Sequence, residues 1–158
     1  MNIDFTEITM KTVPVADYIN GLEEPFKEKF LARKLSYQLD QETIGKLKAY
    51  AGSYAIIVFS AGWCKDCAKH VPVLALINET TGLEVRVFGG LKKDPLAHGI
   101  KWRIPPSPPD VETFHVEAIP LIIVVDREGR ELGRIIENPK HQPTLEQELF
   151  DIITSGLR

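Results

Sequence analysis

Ala55-Ile56-Ile57-Val58-Phe59-Ser60-Ala61-Gly62-Trp63-Cys64-Lys65-Asp66-Cys67 is the stretch on which the fold turns. Ala55 to Ser60 is a continuous apolar run, too short for a helix and rich in β-branched residues. It reads as a strand buried on both faces. Ala61-Gly62-Trp63 then turns the chain. From Cys67 to about Thr80, Val71, Leu74, Ala75 and Asn78 recur at helical spacing, and Gly82 stands where a C-cap belongs. Pro72 falls inside this helix and predicts a kink. Glu84 to Phe88 is a second strand. Strand, helix, strand in that order implies a right-handed crossover and a parallel pair.

The two cysteines, Cys64 and Cys67, are the only ones in the chain. Cys64 stands where the strand hands over to the helix, and Cys67 follows three residues later. An i, i+3 pair at a helix start can meet the Cα separation of about 5.5 Å that a disulfide prefers. The unpaired N–H groups of that first turn favour a thiolate on Cys64. Cys67, one turn in, is expected to be more buried. Thiol–disulfide exchange uses both properties: an exposed thiolate attacks, and a second thiol resolves the mixed disulfide. Lys65 favours the Cys64 thiolate and Asp66 opposes it.

Working outward, the first fifty residues read as helical. Val15 to Asn20 predicts a short helix closed by Gly21. Pro25 suits the first position of the next helix, whose Phe26, Phe30, Leu31 and Leu35 form one apolar face. Asp40 is placed to cap a third segment carrying Ile44, Leu47 and Ala51, with Gly52 as its stop. Beyond Phe88, Gly89 to Asp110 has no period and holds Pro95, Pro105, Pro106, Pro108 and Pro109, so it reads as an extended insertion. Asp110 is placed to cap a short helix ending near His115. Leu121 to Val125 is a strand, Asp126 to Gly129 a turn, and Glu131 to Ile136 an antiparallel return. Thr144 and Gln147 have capping-box spacing ahead of a last helix with Leu145, Leu149, Ile152 and Ile153 on one stripe. The resulting fold class is α/β, a mixed central sheet with helices on both faces. Residues 1–52 form an N-terminal helical extension packed on a domain of residues 53–158, with the Pro-rich insertion near 89–110.

The tryptophan before the cysteine pair, the buried strand behind it and the proline five residues beyond Cys67 together resemble thioredoxin. A second segment agrees: Phe114-His115-Val116-Glu117-Ala118-Ile119-Pro120 before an apolar strand, a glycine turn and a return strand is similar to the thioredoxin segment ending in Ile and a cis-proline. The resemblance covers about Ala55 to Ser155. It implies a three-layer thioredoxin-like fold and a thiol–disulfide oxidoreductase activity, with Cys64 as nucleophile and Cys67 as resolving thiol. It also implies that Pro120 is cis and faces the cysteines. Backbone at Ile119 and Pro120 would then pair with substrate like an added strand, with Trp63 flanking the groove. Three residues depart from the family pattern. Val58 occupies the place of a buried aspartate that moves the second thiol's proton. Leu121 replaces the threonine after the cis-proline, and Glu137 replaces a glycine of the docking surface.

Composition narrows the remaining classes. The chain has 158 residues, 44% hydrophobic and 26% charged, with a net charge of −3. That is an ordinary globular domain, with no basic surplus calling for nucleic acid or an anionic membrane. No apolar run is long enough to span a bilayer. Met1 to Met10 carries Asp4 and Glu7 and has no basic start before an apolar stretch, so the expected location is cytoplasmic. The expectation is therefore a cytosolic protein-disulfide reductase, monomeric, needing no organic cofactor because the dithiol carries the electrons. Its partners would be protein or small disulfides and an upstream disulfide reductase. Two other readings stand beside it. Cys64, Cys67 and His70 could hold a metal if His98, His115 or His141 supplied a fourth ligand, although His70 also fits a solvated helix position. Lys101-Trp102-Arg103-Ile104-Pro105-Pro106 could be a recognition loop of a binding module, or a stiff loop with Trp102 packed on the core.

Overall fold

The computed structural model describes residues 2–92, 102 and 107–155. Most of the Pro-rich insertion, including His98, Lys101 and Arg103, lies outside the described residues. Five strands form one mixed sheet: β1 (Val13–Pro14), β2 (Tyr54–Phe59), β3 (Glu84–Phe88), β4 (Leu121–Asp126) and β5 (Glu131–Ile136), in the order β1-β3-β2-β4-β5. β2 lies at the centre. It runs parallel to β3, Ala55 opposite Glu84, and antiparallel to β4, Phe59 opposite Leu121. All six β2 residues are buried. This is why the run is apolar without alternation, and each large side chain buried there contributes about 1.5–3 kcal/mol. β5 returns antiparallel to β4 with an irregularity between Val124 and Val125.

The helices are α1 (Phe5–Lys11), α2 (Val15–Asn20), α3 (Phe26–Ser36), α4 (Gln41–Leu47), α5 (Lys65–Thr81), α6 (Asp110–Thr113) and α7 (Leu145–Ser155). They cover both faces of the sheet. α5 has Pro72 inside it and ends at Gly82, whose φ of 81° is the left-handed conformation a C-cap glycine adopts at low cost. α7 opens with the reciprocal bonds of a capping box: Gln147 N–H donates to Thr144 Oγ1 at 3.1 Å, and Thr144 N–H to Gln147 Oε1 at 3.2 Å.

Residues 2–52 share one buried cluster with the rest of the chain. β1 joins the sheet edge, antiparallel to β3. α3 packs on α5 and buries Phe30 completely. Leu35, placed on the inner face by the sequence pattern, is instead 89% exposed. It lies about 140° around the helix from Phe30, and the last turn of α3 carries it off the core. Three expected caps also differ. Pro25 precedes α3 as its N-cap rather than opening its first turn, and the Glu24–Pro25 peptide is cis. Asp40 is the N-cap of α4, but its carboxylate accepts from Thr43 Oγ1 at 2.6 Å and Gln147 Nε2 at 3.2 Å instead of a backbone N–H. Asp110 is the first residue of α6, after Pro109, and pairs with Lys11 at 3.2 Å. The α4 segment closes through a 3-10 turn, Lys48–Tyr50, before Gly52.

Candidate active site

β2 ends at Phe59, and five residues later Cys64 forms the N-cap of α5. Its backbone is extended, with φ −81° and ψ 123°, as an N-cap requires. The Cys64 sulfur therefore does what a capping serine oxygen does: it accepts the Cys67 backbone N–H at 3.2 Å. As a thiol it also lies 3.6 Å from Ile119 O, to which it donates. Cys64 is 8% exposed and Cys67 fully buried.

The two thiols are pushed apart in acidity. The Cys64 pKa is lowered, first by a hydrogen bond from the Cys67 thiol and then by the backbone N–H groups of Cys67 and Asp66. Burial and the Asp66 carboxylate oppose this. The Cys67 pKa is raised, chiefly by burial and then by the hydrogen bond to Cys64 and the negative charge that forms there. One proton shared between the two sulfurs thus resides on Cys67, and Cys64 carries the nucleophilic charge.

Cys64 opens onto a groove of about 370 Å³. Trp63, Lys65, Asp66, Trp102, Ala118 and Ile119 line it, as do Glu117 and Glu137. The structure thus brings Trp63, Cys64, Lys65, Asp66 and Ile119 together from two distant segments. Pro120 does not share the groove. The Ile119–Pro120 peptide is cis, Pro120 is buried, and its carbonyl accepts the Glu137 N–H at 2.9 Å. The three residues before the proline form that wall instead. Glu137 has φ 66°, the left-handed region that glycine takes most easily, so a side chain projects here from a backbone shape suited to glycine.

Trp63 is 48% exposed and is anchored by its indole N–H, which donates to Leu91 O at 3.2 Å. Its other face borders a second groove of about 450 Å³, lined by Tyr18, Leu22, Phe26, Gly62 and Leu91. Trp102 is buried beside it, ring centroids 5.9 Å apart, with its indole N–H unpartnered among the described residues. This is the packed-down position, not that of a projecting anchor.

His70 is neither solvated nor beside the thiols as a third ligand. It is buried one turn beyond Cys67, and its Nε2 meets Asn138 Oδ1 at 2.7 Å. Among the described residues no group of three or more His, Cys, Asp or Glu side chains is placed to hold a metal ion. Sequence reasoning missed two hydroxyls at the site, Ser60 and Tyr18, whose oxygens are 2.9 Å apart. Ser60 was identifiable as the residue closing the strand before the cysteines. Tyr18 carried no local signal.

A family model described as thioredoxin matches residues 12–97, from the start of β1 past the cysteine pair and β3. The chain belongs to the thioredoxin family. Among solved structures, a Pseudomonas aeruginosa protein of unknown function superposes with a TM-score of 0.71 at 19% identity, over 99% of each chain. An HIV epitope-scaffold superposes with a TM-score of 0.72 at 17% identity, over 97% of this chain and 99% of that one. At such identities the likeness shows a shared fold and nothing more. The match to the thioredoxin family is what supports a scaffold of the thiol–disulfide oxidoreductase type. No curated protein matches the chain. No helix among the described residues is long and apolar enough to cross a membrane.

Proposed function

We propose that the protein is a thiol–disulfide oxidoreductase, working as a cytosolic protein-disulfide reductase. The observation that carries this reading is the division of labour between the sulfurs. Cys64 caps α5 with a lowered pKa at the mouth of a groove, and Cys67 keeps its proton in the interior. The Cys64 thiolate attacks a substrate disulfide, and the first substrate sulfur leaves with the bonding pair. Cys67 then loses its proton, attacks Cys64 Sγ, and expels the second substrate sulfur as a thiolate. The substrate gains two electrons and the Cys64–Cys67 pair loses them, so no organic cofactor is needed. A separate disulfide reductase restores the dithiol. The Ile119 carbonyl, directed at Cys64, supports docking of an extended substrate backbone beside the groove.

The test is a pair of variants. Cys64→Ser is expected to abolish reduction of a protein disulfide such as insulin. Cys67→Ser is expected to stall as a mixed disulfide visible on a non-reducing gel. Trapping by Cys64→Ser but not by Cys67→Ser would reverse the roles, and turnover by both variants would overturn the reading. The reduction potential of the pair is expected near the roughly −270 mV of a cytosolic reductase. A value above about −180 mV would make the protein an oxidant or isomerase instead.

A further inference from the structure

The resolving thiol faces a problem that the exchange chemistry leaves open. Cys67 must ionise in a fully buried position, and Val58, also fully buried, brings no acid or base to it. Two hydroxyls stand where help is needed. Ser60, the residue after β2, is fully buried, and its hydroxyl acts on the Cys67 thiol, opposing the rise in pKa that burial causes. Tyr18, on α2, places its phenol oxygen 2.9 Å from Ser60 Oγ.

Both hydroxyls are held firmly. The Ser60 N–H donates to Phe88 O at 3.0 Å, fixing Ser60 against β3. The Tyr18 ring lies edge-on to Phe30, centroids 6.3 Å apart, and close against Gly89, where a Cβ would stand 2.6 Å from Tyr18 Cε1. The proton count gives the pair a direction. Each hydroxyl has one hydrogen. When Tyr18 donates to Ser60 Oγ, the Ser60 hydrogen is free to point at sulfur. Burial pushes the Tyr18 phenol up, so it remains a donor throughout the working pH range. The other titratable groups have separate roles: Cys64 shares its proton with Cys67, Asp66 acts on Cys64, and His70 is engaged by Asn138.

We propose that Ser60 is a catalytic residue of the resolving step, donating a hydrogen bond to the Cys67 thiolate as it forms, and that Tyr18 is the positioning residue that orients the Ser60 hydroxyl. The inference rests on the exchange chemistry proposed above. In that step the Cys67 proton passes to water. The thiolate lone pair forms the Cys67–Cys64 bond, and the pair of the broken Cys64–substrate bond leaves on the substrate sulfur. Ser60 and Tyr18 stay protonated throughout and are neither oxidised nor reduced.

The test uses the full chain in its reduced form with the aromatic disulfide dithiobisnitrobenzoate. Attack by Cys64 releases one coloured thiolate, and resolution by Cys67 releases the second. Ser60→Ala is expected to slow the second release roughly tenfold or more at neutral pH, the scale of a lost hydrogen bond to a charged group. Tyr18→Phe, which keeps the ring and its packing, is expected to slow it several-fold. The first release should be unchanged in both, and each deficit should narrow as pH rises, because alkali forms the Cys67 thiolate without help. If Ser60→Ala does not fold, Tyr18→Phe decides. A second release as fast as wild type in Tyr18→Phe, or one slowed by the same factor at every pH, overturns the proposal. Failure of the first release in the wild-type protein overturns the exchange reading together with it.

Discussion

The place of Tyr18 depends on the absence of one methyl group. A Cβ at Gly89 would stand 2.6 Å from Tyr18 Cε1, closer than packed atoms tolerate, so the ring or the backbone beside it would have to shift. Gly89→Ala is expected to lower unfolding free energy by about 1–3 kcal/mol in urea titrations, the usual cost of overpacking. It should also slow the second release described above, since the phenol is displaced from Ser60. This scale shows where sequence reading works. Cys64 and Cys67 were recognisable because their meaning lies in a spacing of three residues. The Tyr18–Ser60 pair joins residues 42 apart through tertiary packing, and no local pattern marks it. His70 read as solvated because a lone histidine in a helix does not show by itself which face it occupies. Its partner Asn138 comes from the loop after β5, 68 positions away.

At the scale of elements, that histidine ties α5 to the segment beyond β5 and makes the junction sensitive to acid. Burial holds the His70 pKa below its ordinary value of 6.5, outweighing the bond to Asn138. Above that ordinary value the ring is neutral folded or unfolded, and its contribution to stability is complete. Below it the unfolded chain takes up a proton first, so stability falls with pH until the lower folded-state pKa is passed. Unfolding free energy measured from about pH 8 down to about pH 5 should show this decline. His70→Gln, which keeps an amide donor for Asn138, should flatten it. A slope of equal size in the variant would assign the acid sensitivity elsewhere. Long periodic elements were visible in the sequence: β2, β3, α5, the β4–β5 hairpin and the capped α7. β1 was not, because two residues cannot display a period of two. Its pairing, Val13 with Val87 and Pro14 with Arg86, comes from its partner strand. The short helix after Pro109 was visible, but the role of Asp110 was not. Its carboxylate answers to Lys11, 99 positions away.

For the molecule as a whole, one buried cluster runs from Ile3 to Ile153. The α/β class with a mixed sheet followed from the order of elements, because a strand-helix-strand unit and a hairpin leave few arrangements of such a sheet. The thioredoxin-like layout came instead from the resemblance carried by Trp63, the cysteine pair and the Ile119-Pro120 segment. Packing of the first fifty residues on the domain was expected from the apolar face around Phe26 and Phe30, but β1 at the sheet edge and Tyr18 at Ser60 were not, because an amphipathic helix does not reveal which surface it covers. Removing residues 1–52 would take away β1, Tyr18, Ile19, Phe30, Ile44 and Leu47, all but β1 buried side chains of the common core. The remaining chain is expected to lose its cooperative thermal transition by circular dichroism. A sharp transition in the truncated chain would show that residues 53–158 fold alone. The start of this core also meets the turn between β4 and β5. Asn2 bridges Arg130, and the Ile3 N–H donates to Gly129 O at 2.7 Å, where a glycine leaves room for the crossing strand. On the ribosome, residues 2 and 3 emerge long before residues 129 and 130 have been made. At roughly 5–20 residues per second the wait is on the order of ten seconds. Throughout it, Ile3 has no hairpin turn to pair with, so an early-made piece of the core is completed only by a much later one.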